Sequence, residues 1–414
     1  MRYYATLLAA LIALTACHKN GSDPFPTPSP VDTIAQRTLI VYMAAENNLS
    51  YYALADIDEM RRGVRKISQR DNLIVIADRT GENDKPCILR LNKTASNPVD
   101  TVRKYQKEFL TSDPDKMQET IAWVMSRYPA VSYGLVLWGH ADGWIIHDTD
   151  SAGVIRAPRK AYGVDNGENR GSIEGKWMNI PSLRKALQAL PNHFKFILAD
   201  CCNMQCAEVA YELKDVCEYF IAAPSEITGD GAPYETIVPD LFITDDTEMY
   251  TKTCDDYHAQ TDPVGGHLPI ATVRTANMPM LASATRDVLQ SFWKNDAINT
   301  DTLVYYYHFD ATDPDTHIMY DMRHVIRQMA DAASYNAWYD IFRQTVVYRL
   351  MSSKWHANYV NFSYFSVTAD NFGGMSMFVP LERYNTTAKK YNELAKQTAW
   401  YHAVGWPELL DSNH

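Results

Sequence analysis

Two stretches of the sequence end an apolar run on residues able to do nucleophile and proton chemistry. Tyr133-Gly-Leu-Val-Leu137 leads into Trp138-Gly-His-Ala-Asp-Gly-Trp144, and Phe194-Lys-Phe-Ile-Leu-Ala199 leads into Asp200-Cys-Cys-Asn-Met204. The nucleophile in thiol chemistry is the thiolate, and a free thiol with a pKa of about 8.5 is mostly protonated at neutral pH. An imidazole within reach takes that proton and returns it to a leaving amine. The developing oxyanion needs backbone N–H donors, which turns after strands supply. A helix starting near Cys206 would favour thiolate through its positive N-terminal end. A lone histidine after a strand is more often merely packed or solvated, so the pairing with a cysteine at a second strand end carries the inference.

The elements that must hold these residues read as an α/β fold. Thr38–Met43, Asn72–Asp78, Cys87–Leu91, Tyr133–Trp138, Phe194–Ala199 and Tyr219–Ala223 are short, nearly continuous apolar runs. Such runs are typical of strands buried on both faces. Helical spacing separates them over Leu49–Met60, Asp113–Met125 and Cys206–Leu213, with Asp113 as cap and Pro114 in the first turn. The alternation predicts a mostly parallel central sheet with helices on both faces. In such sheets sites form at the carboxyl ends of strands, where His140 and Cys202 fall. The chain between them has room for one helical connection, which makes their strands candidate neighbours.

Four segments resemble the clostripain family of cysteine peptidases, within the caspase-like clan. They are Val41-Tyr-Met-Ala-Ala-Glu-Asn-Asn-Leu49, Leu137–Trp144, Asp200–Leu213, and the pair Gly374-Met-Ser-Met-Phe-Val-Pro380 and Thr398-Ala-Trp-Tyr401. The resemblance implies a caspase-like αβα sandwich and a cysteine endopeptidase using a Cys–His dyad. It places the family's histidine on His140 and its nucleophile on Cys202, and leaves Cys201 as a small buried hydrophobe. It places the oxyanion donors on the N–H groups of Cys202 and Ala141, where the family usually has glycine at 141. Asn203 and Gln205 also depart from the family's apolar and small residues. These departures keep a second reading in play, a catalytically silent surface lipoprotein that binds peptides or protein partners on the same fold.

The same resemblance implies an S1 pocket acid at Asp200, with Asp230 as a second and Glu226 as a spare, and cleavage after Arg or Lys. Paired acids suit a guanidinium or ammonium. Asp230 equally fits a turn residue in Gly229-Asp-Gly231. Between Trp144 and Trp177 lies a long polar stretch with the character of a solvated loop. The resemblance adds self-cleavage there, with Lys160-Ala161 as one bond.

The N-terminus MRYYATLLAALIALTAC ends Leu14-Thr-Ala-Cys17, like a bacterial lipobox. Residues 1–16 are therefore expected to be a lipoprotein signal peptide, with Cys17 lipidated after export, and multiple acyl chains anchor stably. Pro24, Pro26, Pro28 and Pro30 mark residues 17–36 as an extended tether. Residues 37–265 are expected to form the catalytic core and 266–414 a mixed helical C-terminal subdomain packing on it. Within that subdomain, Phe372–Val379 reads as a late strand joining the sheet or its edge.

Fifty acidic against 39 basic residues, a formal net charge of −11, argue against a nucleic-acid binder. A 46% hydrophobic content excludes a disordered chain. Cys201, Cys202, Cys206 and Cys217 lack the C-x2-C pairs of structural zinc sites, so no metal ligand is assigned. No cofactor is expected. Some family members need calcium, and without an EF-hand loop that question stays open. The expected partner is a protein or peptide substrate, and the membrane is reached by the lipid anchor alone.

Overall fold

The computed structural model describes residues 34–81, 84–94, 96–146, 162–165, 167, 175–263, 265–294, 298–306, 316–357, 365–385 and 390–411. The signal peptide, Cys17, nearly all of the tether and the Lys160-Ala161 bond lie outside the described residues. The first strand among the described residues starts at Ala35.

Thirteen strands are found among the described residues: β1 Ala35–Ala45, β2 Asn72–Arg79, β3 Cys87–Leu91, β4 Val99–Lys104, β5 Ala130–Trp138, β6 Tyr162–Asp165, β7 Lys176–Met178, β8 Phe194–Asp200, β9 Cys217–Ala222, β10 Ile270–Arg274, β11 Tyr320–Asp321, β12 Val346–Leu350 and β13 Ser376–Met377. Nine of them form one sheet in the order β12-β10-β9-β8-β5-β1-β2-β3-β4. The five central strands, β9 to β2, are mutually parallel, and antiparallel pairs close both margins.

The central strands read as continuous apolar runs because successive residues feed two different cores. Ile40, Tyr42, Ile74, Ile76, Leu135, Leu137 and Ile197 face one core. Leu39, Val41, Leu73, Val75, Val136, Trp138 and Leu198 face the other. This is the two-residue period of a strand with both faces covered.

The second core is roofed by α1 Ser50–Gly63, α5 Tyr234–Asp240 and α6 Asp246–His258, and the first by α2 Pro114–Arg127, α3 Ile180–Gln188, α4 Ala207–Glu212, α7 Met278–Phe292, α8 Met322–Met329 and α9 Ala332–Thr345. The short helices α10 Tyr391–Ala395, α11 Ala399–Ala403 and α12 Trp406–Asp411 pack on that same first core through Tyr391, Trp400 and Trp406. The result is the expected αβα sandwich with a mostly parallel central sheet. At the start of α2, the Asp113 carboxylate accepts from the N–H groups of Asp115 and Lys116, as its position before Pro114 predicts.

The chain beyond residue 265 supplies β10 and β12 to the sheet itself. Two expectations need correcting. Phe372–Val379 does not join the large sheet: Ser376–Met377 pairs with β11, and Ser376 bridges to Cys206. The long polar stretch is not wholly a solvated loop. Tyr162–Asp165 is a fully buried strand paired with β7: Tyr162 packs into the first core, Val164 is buried, and the buried Asp165 carboxylate accepts from Thr111.

Candidate active site

Strands β5 and β8 pair in parallel with Trp138 opposite Asp200. Since neighbouring strands lie about 4.8 Å apart, this register brings His140 and Cys202, each two residues further on, to the same carboxyl edge. The edge lies next to the point where the chain order reverses between β1 and β5. The two turns meet closely. Gly139 donates to the Asp200 carbonyl, and a Cβ on Gly143 would come 2.6 Å from the Asn203 carbonyl oxygen. Gly143 has φ +59° and Asn203 φ +60°, the left-handed geometry that glycine adopts freely and asparagine tolerates.

His140 and Cys202 are each held by a third residue. Nε2 of His140 lies 2.7 Å from Oδ1 of Asn48, which stands in the turn after β1. With Nε2–H donating to that acceptor, Nδ1 is the basic nitrogen. The Trp177 ring lies 6.2 Å from the imidazole, and the His140 carbonyl accepts from Gly163 N–H in β6 at 2.8 Å. Sγ of Cys202 accepts from Ile227 N–H at 3.4 Å and faces the Ile227 carbonyl at 3.9 Å.

Burial pushes the Cys202 thiol upward, the Glu226 charge adds to this, and the Ile227 N–H partly offsets it. Helix α4 starts at Ala207 with Cys206 as its cap, beyond an intervening stretch at Asn203–Gln205. Cys201 is fully buried, as its small-residue position implies. Ala141 is also buried and bridges to Tyr162, and the bond beside that bridge is carried by the His140 carbonyl.

Asp200 is buried beneath the site. It accepts from Tyr257 Oη at 2.5 Å, Tyr234 Oη at 2.6 Å and Ala232 N–H at 3.3 Å. Burial raises its pKa while these donors oppose the shift. Asp56 lies near it, with Trp138 Nε1 donating to its carboxylate at 2.6 Å, and burial plus the Asp200 charge push Asp56 up to about 8. A cavity of about 230 Å³ opens beside this network, lined by Ile227, Thr228, Asp230, Gly231 and Tyr257 among others. Asp230 is exposed at its rim and Glu226 half-buried next to the thiol. Thus Asp230 and the Tyr257 face of the Asp200 network share one cavity, while Glu226 sits nearer Cys202.

Sequence reasoning missed Asn48, Tyr234 and Tyr257. Asn48 was visible as part of the polar turn after the first strand, but only the fold brings it to His140. The two tyrosines lie in α5 and α6, whose mixed charge and weak apolar spacing hide them. Also missed are the carboxyl groups of Glu46, Asp78 and Glu108, whose oxygens lie within 4.8 Å of one another beside the same edge. No helix among the described residues is long and apolar enough to cross a membrane.

The family model described as the clostripain family matches residues 41–412. The chain is 25% identical to clostripain of Hathewaya histolytica over 223 residues, covering 48% of this chain and 41% of that protein. It therefore spans less than half the length of that curated relative. Among solved structures, a secreted C11 cysteine protease from Bacteroides thetaiotaomicron bound to an irreversible peptide inhibitor superposes with a TM-score of 0.72. It is 29% identical, and the match covers 90% of this chain and 100% of that one. An inactive zymogen C11 protease from Parabacteroides distasonis gives 0.71 at 27% identity, covering 90% and 99%.

Proposed function

The chain belongs to the clostripain family, and we propose that it is a cysteine endopeptidase in which Cys202 and His140 form the dyad. The observation that carries this reading is the Trp138–Asp200 register, which sets the thiol and the imidazole at one edge on adjacent parallel strands. Sγ of Cys202 gives its proton to Nδ1 of His140 and attacks the scissile carbonyl carbon. The N–H groups of Cys202 and Ala141 bind the oxyanion. The C–N bond breaks as His140 protonates the leaving amine. Water then attacks the thioester, His140 takes its proton, and the acid product leaves with the thiol restored.

The substrate side chain we assign to the cavity beside Ile227 and Tyr257 is basic. An Arg or Lys entering it meets Asp230 at the rim, with the Asp200 charge behind Tyr257 and Gly231. Glu226 stands beside the nucleophile, where it favours a basic or polar neighbour in the bound peptide. Residues 1–16 act as an export signal, Cys17 carries the lipid and residues 17–36 tether the body outside the cell membrane. The related secreted protease supports export, and the related zymogen supports activation by cleavage, here at Lys160-Ala161. Residues 266–414 serve the 37–265 core as a supporting unit, completing the sheet at one margin.

A thiol-reactive peptide probe ending in Lys or Arg, applied to wild type, Cys202→Ala and Cys201→Ala, tests the dyad. Labelling is expected to vanish only in Cys202→Ala, and loss confined to Cys201→Ala overturns the assignment. A peptide panel tests specificity, and turnover after neutral but not basic residues overturns the basic-pocket reading. Processing of Cys202→Ala at the wild-type rate removes self-cleavage.

A further inference from the structure

Helix α4 follows the stretch after Cys202, and its two glutamates, Glu208 and Glu212, lie four residues apart. That spacing places both on one face of the helix, and both are buried. A buried carboxyl group needs donors or a countercharge. Glu212 has both: Oε1 accepts from Ala399 N–H at 2.8 Å, and Oε2 lies 2.8 Å from Nη1 of Arg184. Glu208 is held differently. Its Oε1 accepts from Phe378 N–H at 2.8 Å, and the Cys206 thiol lies against the carboxyl. Burial raises its pKa to about 7 and the Phe378 N–H opposes the shift, so Glu208 serves as a hydrogen-bond acceptor rather than as half of an ion pair.

Phe378 belongs to a segment that runs against both site turns. Its ring lies 4.7 Å from that of Trp144, at the end of the turn bearing His140. Two residues earlier, Ser376 N–H donates to the Gln205 carbonyl at 3.0 Å, and Ser376 bridges to Cys206, in the stretch that follows Cys202. The same stretch is tied on its other side, where Asn203 N–H donates to the Ser225 carbonyl at 2.8 Å and Gln205 N–H to the Ala223 carbonyl at 2.9 Å. The circuit closes at Cys206, whose thiol is faced by both Trp144 N–H and the Glu208 carboxyl. Glu208 therefore grips the segment that packs on the histidine turn and the residue that caps the helix after the cysteine turn.

We infer that Glu208 is a positioning residue for the Cys202–His140 pair, acting through Phe378 and Cys206. The inference rests on the dyad reading above. Glu208 fixes the Ser376–Phe378 segment, that segment couples the two turns, and the spacing of the turns sets the approach of Sγ to the imidazole. A misplacement of about 1 Å costs a reaction roughly a hundredfold. A leucine at 208 leaves the Phe378 N–H buried without its acceptor, whereas a glutamine keeps an oxygen at the same reach. The cavity beside Ile227 and Tyr257 is built from the loop after β9 and from α6, which roofs the other core, so substrate binding is insulated from the change.

The test compares the full chain with Glu208→Leu, Glu208→Gln and Phe378→Leu. Turnover of a peptide containing Lys or Arg is measured per folded molecule. Alkylation of Cys202 by iodoacetamide is followed against pH by mass spectrometry, a readout that needs no turnover. Glu208→Leu is expected to lose roughly tenfold to a hundredfold in kcat with KM little changed, and its alkylation profile should lose the arm that depends on the imidazole. Glu208→Gln should retain most of kcat and that arm. Phe378→Leu, which keeps the N–H and loses the ring on Trp144, should fall between the two. A Glu208→Leu protein that melts lower but keeps kcat per folded molecule and the alkylation profile has lost only stability, which overturns the proposal. Equal loss in Glu208→Gln and Glu208→Leu overturns it as well, because the acceptor would then not be what matters. If Glu208→Leu fails to fold, Phe378→Leu carries the test, and an unchanged kcat and profile there overturn the proposal. A wild type that alkylates with an imidazole-dependent profile yet cleaves no peptide sinks the endopeptidase reading alone, and the alkylation comparison then decides the role of Glu208.

Discussion

Oδ1 of Asn48 lies 2.7 Å from Nε2 of His140, so the turn after the first strand of the sheet orients the imidazole that follows the fifth. The contact fixes the tautomer with Nδ1 unprotonated, the form a base must have. Replacing Asn48 by Ala removes the acceptor without adding charge. We expect kcat to fall roughly tenfold to a hundredfold, a part of the range for general acid–base catalysis. The pH profile of kcat should lose its sharp acid limb, and the melting temperature should barely move. A variant with unchanged kcat and profile would separate Asn48 from His140 function.

Glu226 disfavours the Cys202 thiolate, which burial already raises. Removing that negative charge stabilises the thiolate relative to the thiol and lowers the thiol pKa. Glu226→Gln should therefore alkylate faster with iodoacetamide at pH 7 than wild type, and its rate curve against pH should shift toward acid. Mass spectrometry of the modified peptide follows the rate. A curve shifted toward alkaline pH would reverse the sign argued here.

The central strands, the first helices and the ends bearing His140 and Cys202 were legible because each depends on local pattern. Thr38–Met43 and Phe194–Ala199 are apolar on both faces and bounded by turn residues, which only a buried strand satisfies at that length. Asp113-Pro114 announced a helix start by cap chemistry alone. What stayed hidden depends on register and on distance in sequence. Asn48 is one polar residue among three after β1 until the pairing of β1 with β5 puts it beside His140. Tyr234 and Tyr257 reach Asp200 from two helices whose charge masks their apolar faces. Tyr162–Asp165 is too short a strand to stand out within a polar stretch, and its burial comes from the core it enters.

Asp56 has a folded-state pKa of about 8, raised chiefly by burial and then by the Asp200 charge. An acid whose folded pKa lies above its unfolded value is held neutral by the fold, so its contribution is most favourable below the unfolded pKa. Stability then declines as pH rises from about 4 to about 8, where the unfolded state sheds its proton first. Asp56→Asn removes that decline while keeping an acceptor for Trp138 Nε1. Its melting temperature should exceed that of wild type by more at pH 8 than at pH 4. Equal differences at both pH values would show that Asp56 is ionised in the fold throughout.

At Gly143 the turn bearing His140 packs against the turn that follows Cys202. Its φ of +59° is left-handed, which costs a residue with a Cβ ~1–2 kcal/mol. The added Cβ would also come 2.6 Å from the Asn203 carbonyl oxygen and 2.8 Å from Met319 Cε. The methionine can swing away, but the carbonyl belongs to the backbone directly after Cys202. Overpacking of that kind adds ~1–3 kcal/mol. Gly143→Ala should therefore lose about 2–5 kcal/mol of stability in denaturant unfolding. What the folded fraction retains is the sharper test. Wedging the two turns apart displaces His140 from Cys202, so kcat per folded molecule should fall while the Ile227–Tyr257 cavity, and with it KM, changes little. A variant that keeps kcat per folded molecule would mean that the two turns need not touch for the dyad to work.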